Sequence, residues 1–145
     1  SNTMKEILAT TDAPAAIGPY AQAIKVKDMI FVSGQIPIDP KMNSLVLGGI
    51  REQTEQCLLN MRAILEEGGA HLDDVVKVTI YMTDLNQFAQ MNEVYTEFFP
   101  NSDNAHNLLP ARATVEVSKL PKDAMIEIDC IAVISPNTYD TPELF

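Results

Sequence analysis

Basic side chains are scarce in this sequence. Its 145 residues include 10 Lys and Arg against 20 Asp and Glu, which gives a formal net charge of −10 at pH 7. Binding to a nucleic-acid backbone depends mainly on basic side chains that neutralise phosphates. A nucleic acid is therefore not the expected partner.

Cysteine and histidine are also rare. Cys57 and Cys130 form no CxxC motif and lie on predicted apolar faces of different elements, so both are expected to be buried thiols. His71 and His106 fall in predicted loops and lack the spacing of metal ligands. Neither a metal nor a disulfide is expected.

Long apolar runs are missing as well. None approaches the ~20 residues that span a bilayer, and no signal peptide precedes the fold, so we expect a cytoplasmic protein without membrane contact. The length suits one domain covering residues 1–145. Ser1–Thr3, ahead of Met4, are interpreted as a remnant of an expression vector, and residues 135–145 as an acidic tail.

Hydrophobic periodicity predicts an α+β fold. Alternating apolar residues predict strands over 5–10, 23–27, 29–33 (ended by Gly34) and 75–83. Helical spacing predicts one helix from Gly49 to the Gly68-Gly69 stop, and a second that begins after Thr83 or Asp84. With two further strands, this order implies a mixed sheet with both helices on one face.

The two last strands carry the most unusual chemistry. Residues 111–117 and 126–134 alternate in character and are joined by a short link, which predicts an antiparallel hairpin. This register would place Thr114 opposite Glu127 and Arg112 opposite Asp129. Arg112 and Glu127 would then be diagonal neighbours, roughly 7–8 Å apart on one surface.

That surface would be the sheet face without helices. It is expected to carry five polar side chains and to have no cover within the chain: Thr79, Tyr81, Arg112, Thr114 and Glu127. Contact with another subunit, in a closed cyclic assembly, is the expected solution.

Three further positions have two interpretations each. Tyr20 follows Ile17-Gly18-Pro19 in a loop and is either a core-packing tyrosine or a functional group. Ser33 and Gly34 either offer a hydroxyl and an amide to a ligand or simply end a strand. Asn92 lies beside the apolar stripe of the second helix, where a solvated role is favoured over one in a cleft.

Three blocks of the sequence resemble the Rid (YjgF) family of reactive-intermediate deaminases. They are residues 17–23 (IGPYAQA), residues 32–37 (VSGQIP), and residues 110–115 (PARATV) continuing through 126–128 (IEI). The resemblance implies a chorismate-mutase-like subunit with a mixed six-stranded sheet and two helices packed on one face. It also implies a homotrimer with clefts between subunits. The implied reaction hydrolyses 2-iminopropanoate, 2-iminobutanoate and their enamine tautomers to 2-oxo acids and ammonia, without a cofactor.

The same resemblance implies roles for individual residues. Arg112 would hold the substrate carboxylate, and Glu127 would activate water, with Asp129 or Glu116 raising its pKa. Tyr20, from the adjoining subunit, would donate to the imine nitrogen or to water. Ser33, Gly34 and Asn92 would line the pocket. Thr114 stands where many deaminases of the family have cysteine, and it can offer a hydroxyl to the carboxylate.

Two other functions compete with the deaminase. The first is an endoribonuclease that inhibits translation, which the acidic charge and the absence of a histidine pair oppose. The second is a trimer without catalysis that binds a small carboxylate or acts as a chaperone. The pairing of Arg112 with Glu127 favours catalysis over binding alone.

Overall fold

A computed structural model describes residues 4–101 and 109–135 of the chain. The expectations for residues 1–3, for His106 and for the tail beyond 135 lie outside this range. Within it, no helix combines the length and apolar character needed to cross a membrane.

Eight strands and two α-helices follow one another along the described chain. The strands are β1 (Lys5–Leu8), β2 (Ala23–Val26), β3 (Met29–Gln35), β4 (Ile38–Asp39), β5 (Ser44–Leu45), β6 (Val75–Met82), β7 (Ala111–Glu116) and β8 (Ile126–Val133). The helices are α1 (Ile50–Glu67), between β5 and β6, and α2 (Phe88–Phe98), between β6 and β7.

Six of the strands form one sheet in the order β1-β2-β3-β8-β6-β7, while β4 and β5 pair separately. Only β6 and β7 run parallel, and the remaining neighbours of the large sheet are antiparallel. The predicted mixed six-stranded sheet with two helices is therefore confirmed. The β4–β5 pair was not predicted.

The core lies between the sheet and the helices. Val78, Ile80, Ile128 and Cys130 alternate with polar residues along the two central strands and are buried in one cluster with residues of α1 and α2. We call this side of the sheet the helix face and the other side the open face. Side chains alternate between the two faces along each strand, so register decides which residues share a surface.

The predicted limits of α1 are confirmed, and those of α2 need a small correction. α1 ends at Glu67, and Gly69 follows with φ of 86°, a left-handed conformation that glycine adopts readily. Asp84 caps a single 3₁₀ turn, Leu85–Gln87, by accepting from the Asn86 amide. The α-helix itself begins only at Phe88.

The predicted hairpin of the last two strands is wrong. β6 lies between β7 and β8 and pairs with both. The crossover through α2 returns β7 parallel to β6, as a right-handed β-α-β connection does. The link from Glu116 to Ile126 then crosses β6 to reach the centre of the sheet. Alternation along a strand reveals its two faces but not its neighbour.

Candidate functional site

Glu127 projects from the middle of the open face. The sheet register aligns it with Tyr81 of β6, which in turn aligns with Val115 of β7. Its side chain is partly buried. A pocket of about 370 Å³ lies above it, and we call this the Glu127 pocket; its lining residues are Ile17, Tyr20, Ser33, Gly34, Ile36, Pro121 and Glu127.

Gly34 allows Glu127 to lie against the backbone of β3. A Cβ atom at position 34 would lie 2.8 Å from the Cδ atom of Glu127 and still closer to one carboxylate oxygen. The prediction that Gly34 ends β3 is wrong. The strand continues to Gln35 after a register shift between Val32 and Gln35. The glycine is therefore required by close approach within the strand rather than by a strand end.

Ser33 ties β3 to the loop that carries Tyr20. Its hydroxyl donates to the Ala21 carbonyl at 2.6 Å, and its amide donates to the Gln22 carbonyl. The buried Gln22 carboxamide accepts from the Thr10 amide at 2.7 Å and donates to the Pro14 carbonyl at 2.7 Å. These bonds fix both ends of the loop at the rim of the pocket.

Tyr20 is a pocket residue and not a core tyrosine. It is 49% exposed, and its hydroxyl accepts from the Ile17 amide at 3.3 Å. The resemblance had placed Tyr20 on the subunit adjoining Glu127. That expectation is wrong, because Tyr20 and Glu127 line the same pocket within one chain.

Arg112 lies elsewhere, on the helix face at the edge strand β7. The register aligns it with buried Val78 and, through Val78, with Cys130. Its Nη1 donates to Asn92 Oδ1 at 2.7 Å. Its guanidinium carbon lies 4.6 Å from the ring centroid of Tyr95 and 5.5 Å from that of Phe88.

We call this second region the Arg112 groove, defined by Phe88, Asn92, Tyr95 and Arg112. The three α2 residues share one side of the helix because they are spaced four and three apart. That spacing is visible in the sequence, where it predicts Phe88 and Tyr95 on the apolar face of the helix but gives no indication that they contact Arg112. Asn92 is partly buried and bonded to Arg112, so its predicted solvated role is wrong.

The predicted common surface for Arg112, Thr114 and Glu127 is therefore wrong. Pairing β7 with β6 aligns Thr114 with Ile80 and Ile128, which are core residues. A register that differs by one residue moves every side chain of a strand to the other face. Thr114 consequently lies outside the Glu127 pocket, and its buried hydroxyl has no hydrogen-bond partner among the described residues.

A second carboxylate modifies the acid–base character of the Glu127 pocket. Burial, and then the Asp129 charge, raise the pKa of Glu127. Burial also raises the pKa of Asp129, against the opposing effects of Tyr81, Lys77 and Thr79. The predicted alternative, Glu116, lies near α2 instead and accepts from the Leu85 amide at 2.9 Å.

The electrostatics of the Arg112 groove are different. Burial raises the pKa of Tyr95 to about 12, and the Arg112 charge opposes that change. Among the described residues, no carboxylate forms an ion pair with Arg112. The described residues also contain no group of three or more His, Cys, Asp or Glu side chains that could hold a metal ion.

Proteins of known sequence are similar to this chain over most of its length. The family model "Endoribonuclease L-PSP" matches residues 10–134. A RutC family protein of Pyrococcus abyssi is 58% identical over 88% of this chain and 96% of its own length. The mouse protein named 2-iminobutanoate/2-iminopropanoate deaminase is 42% identical over 94% of this chain and 96% of its own.

Solved structures agree in fold. A putative endoribonuclease from Thermotoga maritima superposes with a TM-score of 0.85 at 50% identity, covering 92% of this chain and 100% of its own. E. coli TdcF, crystallised with bound serine, gives a TM-score of 0.82 at 42% identity over 90% and 99% of the two chains. The chain therefore belongs to the Endoribonuclease L-PSP family, which includes the RutC and Rid (YjgF) proteins.

Proposed function

We propose that this protein is a cofactor-independent deaminase that hydrolyses small 2-imino acids, such as 2-iminopropanoate and 2-iminobutanoate, to 2-oxo acids. Water adds to the C=N carbon, the C–N bond breaks, and a protonated imine plus water gives the oxo acid plus an ammonium ion. The observation that carries the proposal is Glu127, a partly buried carboxylate of raised pKa in a pocket large enough for such a substrate.

The Glu127 pocket has the groups that the addition of water requires. Glu127 takes a proton from the attacking water and returns it when ammonia leaves. Tyr20 lines the same pocket and presents a hydroxyl to the imine nitrogen or to the water. Ile17, Ile36 and Pro121 supply an apolar wall for the short alkyl group of the substrate.

Arg112 is the group suited to the substrate carboxylate. A planar guanidinium binds a carboxylate through two parallel hydrogen bonds. Asn92 accepts a hydrogen bond from Arg112, and the guanidinium carbon lies over the rings of Phe88 and Tyr95, so the orientation of the Arg112 side chain is fixed in advance. E. coli TdcF, whose crystals contain bound serine, has a ligand with a carboxylate of the same kind.

The two half-sites imply an assembly. Within one chain Glu127 lies on the open face and Arg112 on the helix face, so one small substrate cannot contact both. We propose a homotrimer in which the Glu127 pocket of one subunit meets the Arg112 groove of the next. Arg112 belongs to β7, the edge strand of the sheet among the described residues, a position that suits contact with a neighbouring subunit.

The open face supplies an apolar surface for this contact. Five large apolar side chains of that face are each at least 38% exposed: Ile7, Met29, Phe31, Val115 and Val133. An apolar patch of this kind commonly marks a protein–protein contact. A closed ring satisfies such a face on every subunit at once.

Activity is tested by coupling the protein to a threonine dehydratase, which releases the imino acid in place. The buffer should slow spontaneous hydrolysis, and 2-oxobutanoate and ammonia are followed together. We expect faster release with the wild type and a large loss with Glu127→Gln. Equal rates with and without the protein would overturn the deaminase.

The shared site is tested separately by mixing two impaired variants and measuring activity at a substrate concentration well below KM. Arg112→Ala and Glu127→Gln subunits, unfolded together and refolded at equal amounts, should regain about one quarter of wild-type activity, because that fraction of clefts receives both intact residues in a random cyclic trimer. Each variant refolded alone is the control. No recovery, or a monomer by light scattering, would overturn the intersubunit site but not the deaminase.

The family model bears the name of an endoribonuclease, so RNA is a necessary control substrate. The net charge of −10 opposes phosphate binding. RNA cleavage that survives extensive purification and disappears in Glu127→Gln would favour the nuclease. Binding of a small carboxylate without turnover would favour the binding protein.

A further inference from the structure

Beside Glu127 lies a second carboxylate, Asp129, which takes part in no step of the reaction proposed above. Asp129 is two residues further along β8, on the same open face. Residues two apart on a strand are roughly 7 Å apart along its axis. Both side chains are partly buried, so their charges are less screened than those of two surface carboxylates would be.

Asp129 has partners that favour its charged form. The Tyr81 hydroxyl donates to Asp129 Oδ2 at 3.3 Å, across from β6. Thr79 is aligned with Asp129 in the sheet, and Lys77 lies one position further along the same face. All three lower the pKa of Asp129 against the effect of burial.

Among the residues that the structure describes, Glu127 has no comparable partners. Burial and Asp129 are the causes that move its pKa, and both move it upward. The other titratable groups facing it are Tyr81 from β6 and Tyr20 at the pocket rim, while Cys57 of α1 lies behind the sheet with its own pKa raised. The link before β8 adds an exposed pair, Lys119 with Asp123.

The two carboxyl groups therefore differ in how well their surroundings stabilise a negative charge. Of two neighbouring acids, the one with stabilising partners keeps its negative charge and the other has the higher affinity for a proton, which is how acid and base roles are divided in many active sites. Hydrolysis of an imine needs a group that first takes a proton and later gives it back. A carboxylate of ordinary pKa performs the second step poorly near neutral pH.

We propose that Asp129, held by Tyr81, is a positioning residue that enables Glu127 to return the proton it takes from water. Asp129 does not contact the substrate and acts only through its neighbour. The inference rests on the proposed deaminase function for its consequence in catalysis. The coupling of the two carboxyl groups does not depend on that function.

The test is a titration of the assembled protein without substrate. With ¹³C at the side-chain carboxyl of Glu and Asp, NMR follows Glu127 and Asp129 separately, and assignment uses Glu127→Gln and Asp129→Asn. In the wild type, each resonance should show a second inflection at the pH where the other group titrates. The absence of this mutual effect would overturn the proposal, whether or not the variants used for assignment retain activity.

Asp129→Asn keeps the shape of the side chain and an acceptor for Tyr81, so we expect it to fold. Its Glu127 inflection should move to lower pH, as should the acid limb of kcat/KM, while the plateau of kcat falls. Tyr81→Phe should move the Asp129 inflection to higher pH. Glu55→Gln, which removes an exposed carboxylate of α1, should change neither titration.

The outcomes separate the two proposals. An unmoved Glu127 inflection in Asp129→Asn would overturn the role of Asp129, whatever the activity. A moved inflection in a protein that accelerates no imine hydrolysis would overturn the deaminase and leave the coupling of the carboxyl groups intact.

Discussion

The Glu127 pocket and the Arg112 groove are built by different means. The pocket combines the loop before Tyr20, the irregular end of β3 and the link before β8, whereas the groove uses one strand and one helix. Three buried carboxamides tie the irregular segments down: Gln22 at the loop, Asn60 at the Ile36 and Ile38 carbonyls, and Gln53 at the Met125 amide. Glu127, the acid–base group, thus lies in a pocket of irregular segments that need these hydrogen bonds, whereas Arg112, the carboxylate-binding group, is held by a strand and a helix.

The largest effects should come from removing the central residue of each half-site. Glu127→Gln should lower kcat by about 10²–10⁴-fold with little change in KM, because it removes the acid–base group. Arg112→Ala should lower kcat/KM by roughly 10–100-fold, mainly through KM, since hydrogen bonds to charged groups contribute about 1.5–3 kcal/mol.

Steady-state kinetics of the coupled reaction separates these parameters. Arg112→Lys is the matched control, because it keeps the charge and loses the planar pair of donors, so its KM should fall between those of wild type and Arg112→Ala. If both central variants changed KM alone, the assigned division between chemistry and binding would be wrong.

The next effect should come from closing the space beside Glu127. Gly34→Ala places a methyl group against the carboxylate, which must move, and a displacement of about 1 Å can cost on the order of 10²-fold in rate. Gly49→Ala is the control, because a Cβ there meets nothing within 4 Å. The loss should appear in kcat with the assembly intact by light scattering. Wild-type kcat in Gly34→Ala would contradict the close approach.

The sequence predicts the regular elements of this fold better than it predicts how the strands pair. Local periodicity predicts α1, α2 and the alternating strands, and the Gly68-Gly69 pair predicts the left-handed stop after Glu67. No local pattern predicts which strands pair with β7 and β8. Pairing depends on which crossover packs best over the whole sheet, and the alternation of Arg112 with Ala113 fits either partner strand.

The sequence predicts candidate site residues but not how they are arranged. The structure brings four of the seven residues that the resemblance supplied, Tyr20, Ser33, Gly34 and Glu127, to one pocket, whereas Asn92, Arg112 and Thr114 lie outside it. The hairpin error placed Arg112 with Glu127, because a one-residue difference in register exchanges the faces. Supports such as Asn60 carry no local signal, since a polar residue within an apolar stripe has many explanations.

A smaller effect, on stability instead of activity, should distinguish the supports of the two half-sites. Asn60→Ala removes the donor to the Ile36 and Ile38 carbonyls. The Ile36 carbonyl still accepts from the Ile38 amide, but the Ile38 carbonyl loses a buried bond of 2.9 Å, which costs about 1–3 kcal/mol of unfolding free energy. Urea unfolding at one fixed protein concentration measures it. Hydrogen exchange should quicken at the Ile36 and Ile38 amides but not in β7. Asn86→Ala, at an exposed site, is the control, and equal losses would contradict the role of Asn60.

The smallest effect should come from the aromatic rings of the Arg112 groove. Phe88→Leu removes a ring 5.5 Å from the guanidinium, a contact worth about 0.5–1 kcal/mol, so KM should rise by roughly 2–5-fold with kcat unchanged. Phe98→Leu is a matched control, because it removes a similar ring, 5.6 Å from Arg62, at the other end of the same helix. Equal changes in KM for both variants would mean that the effect comes from helix packing, and Arg112 would then be oriented by Asn92 without help from the ring.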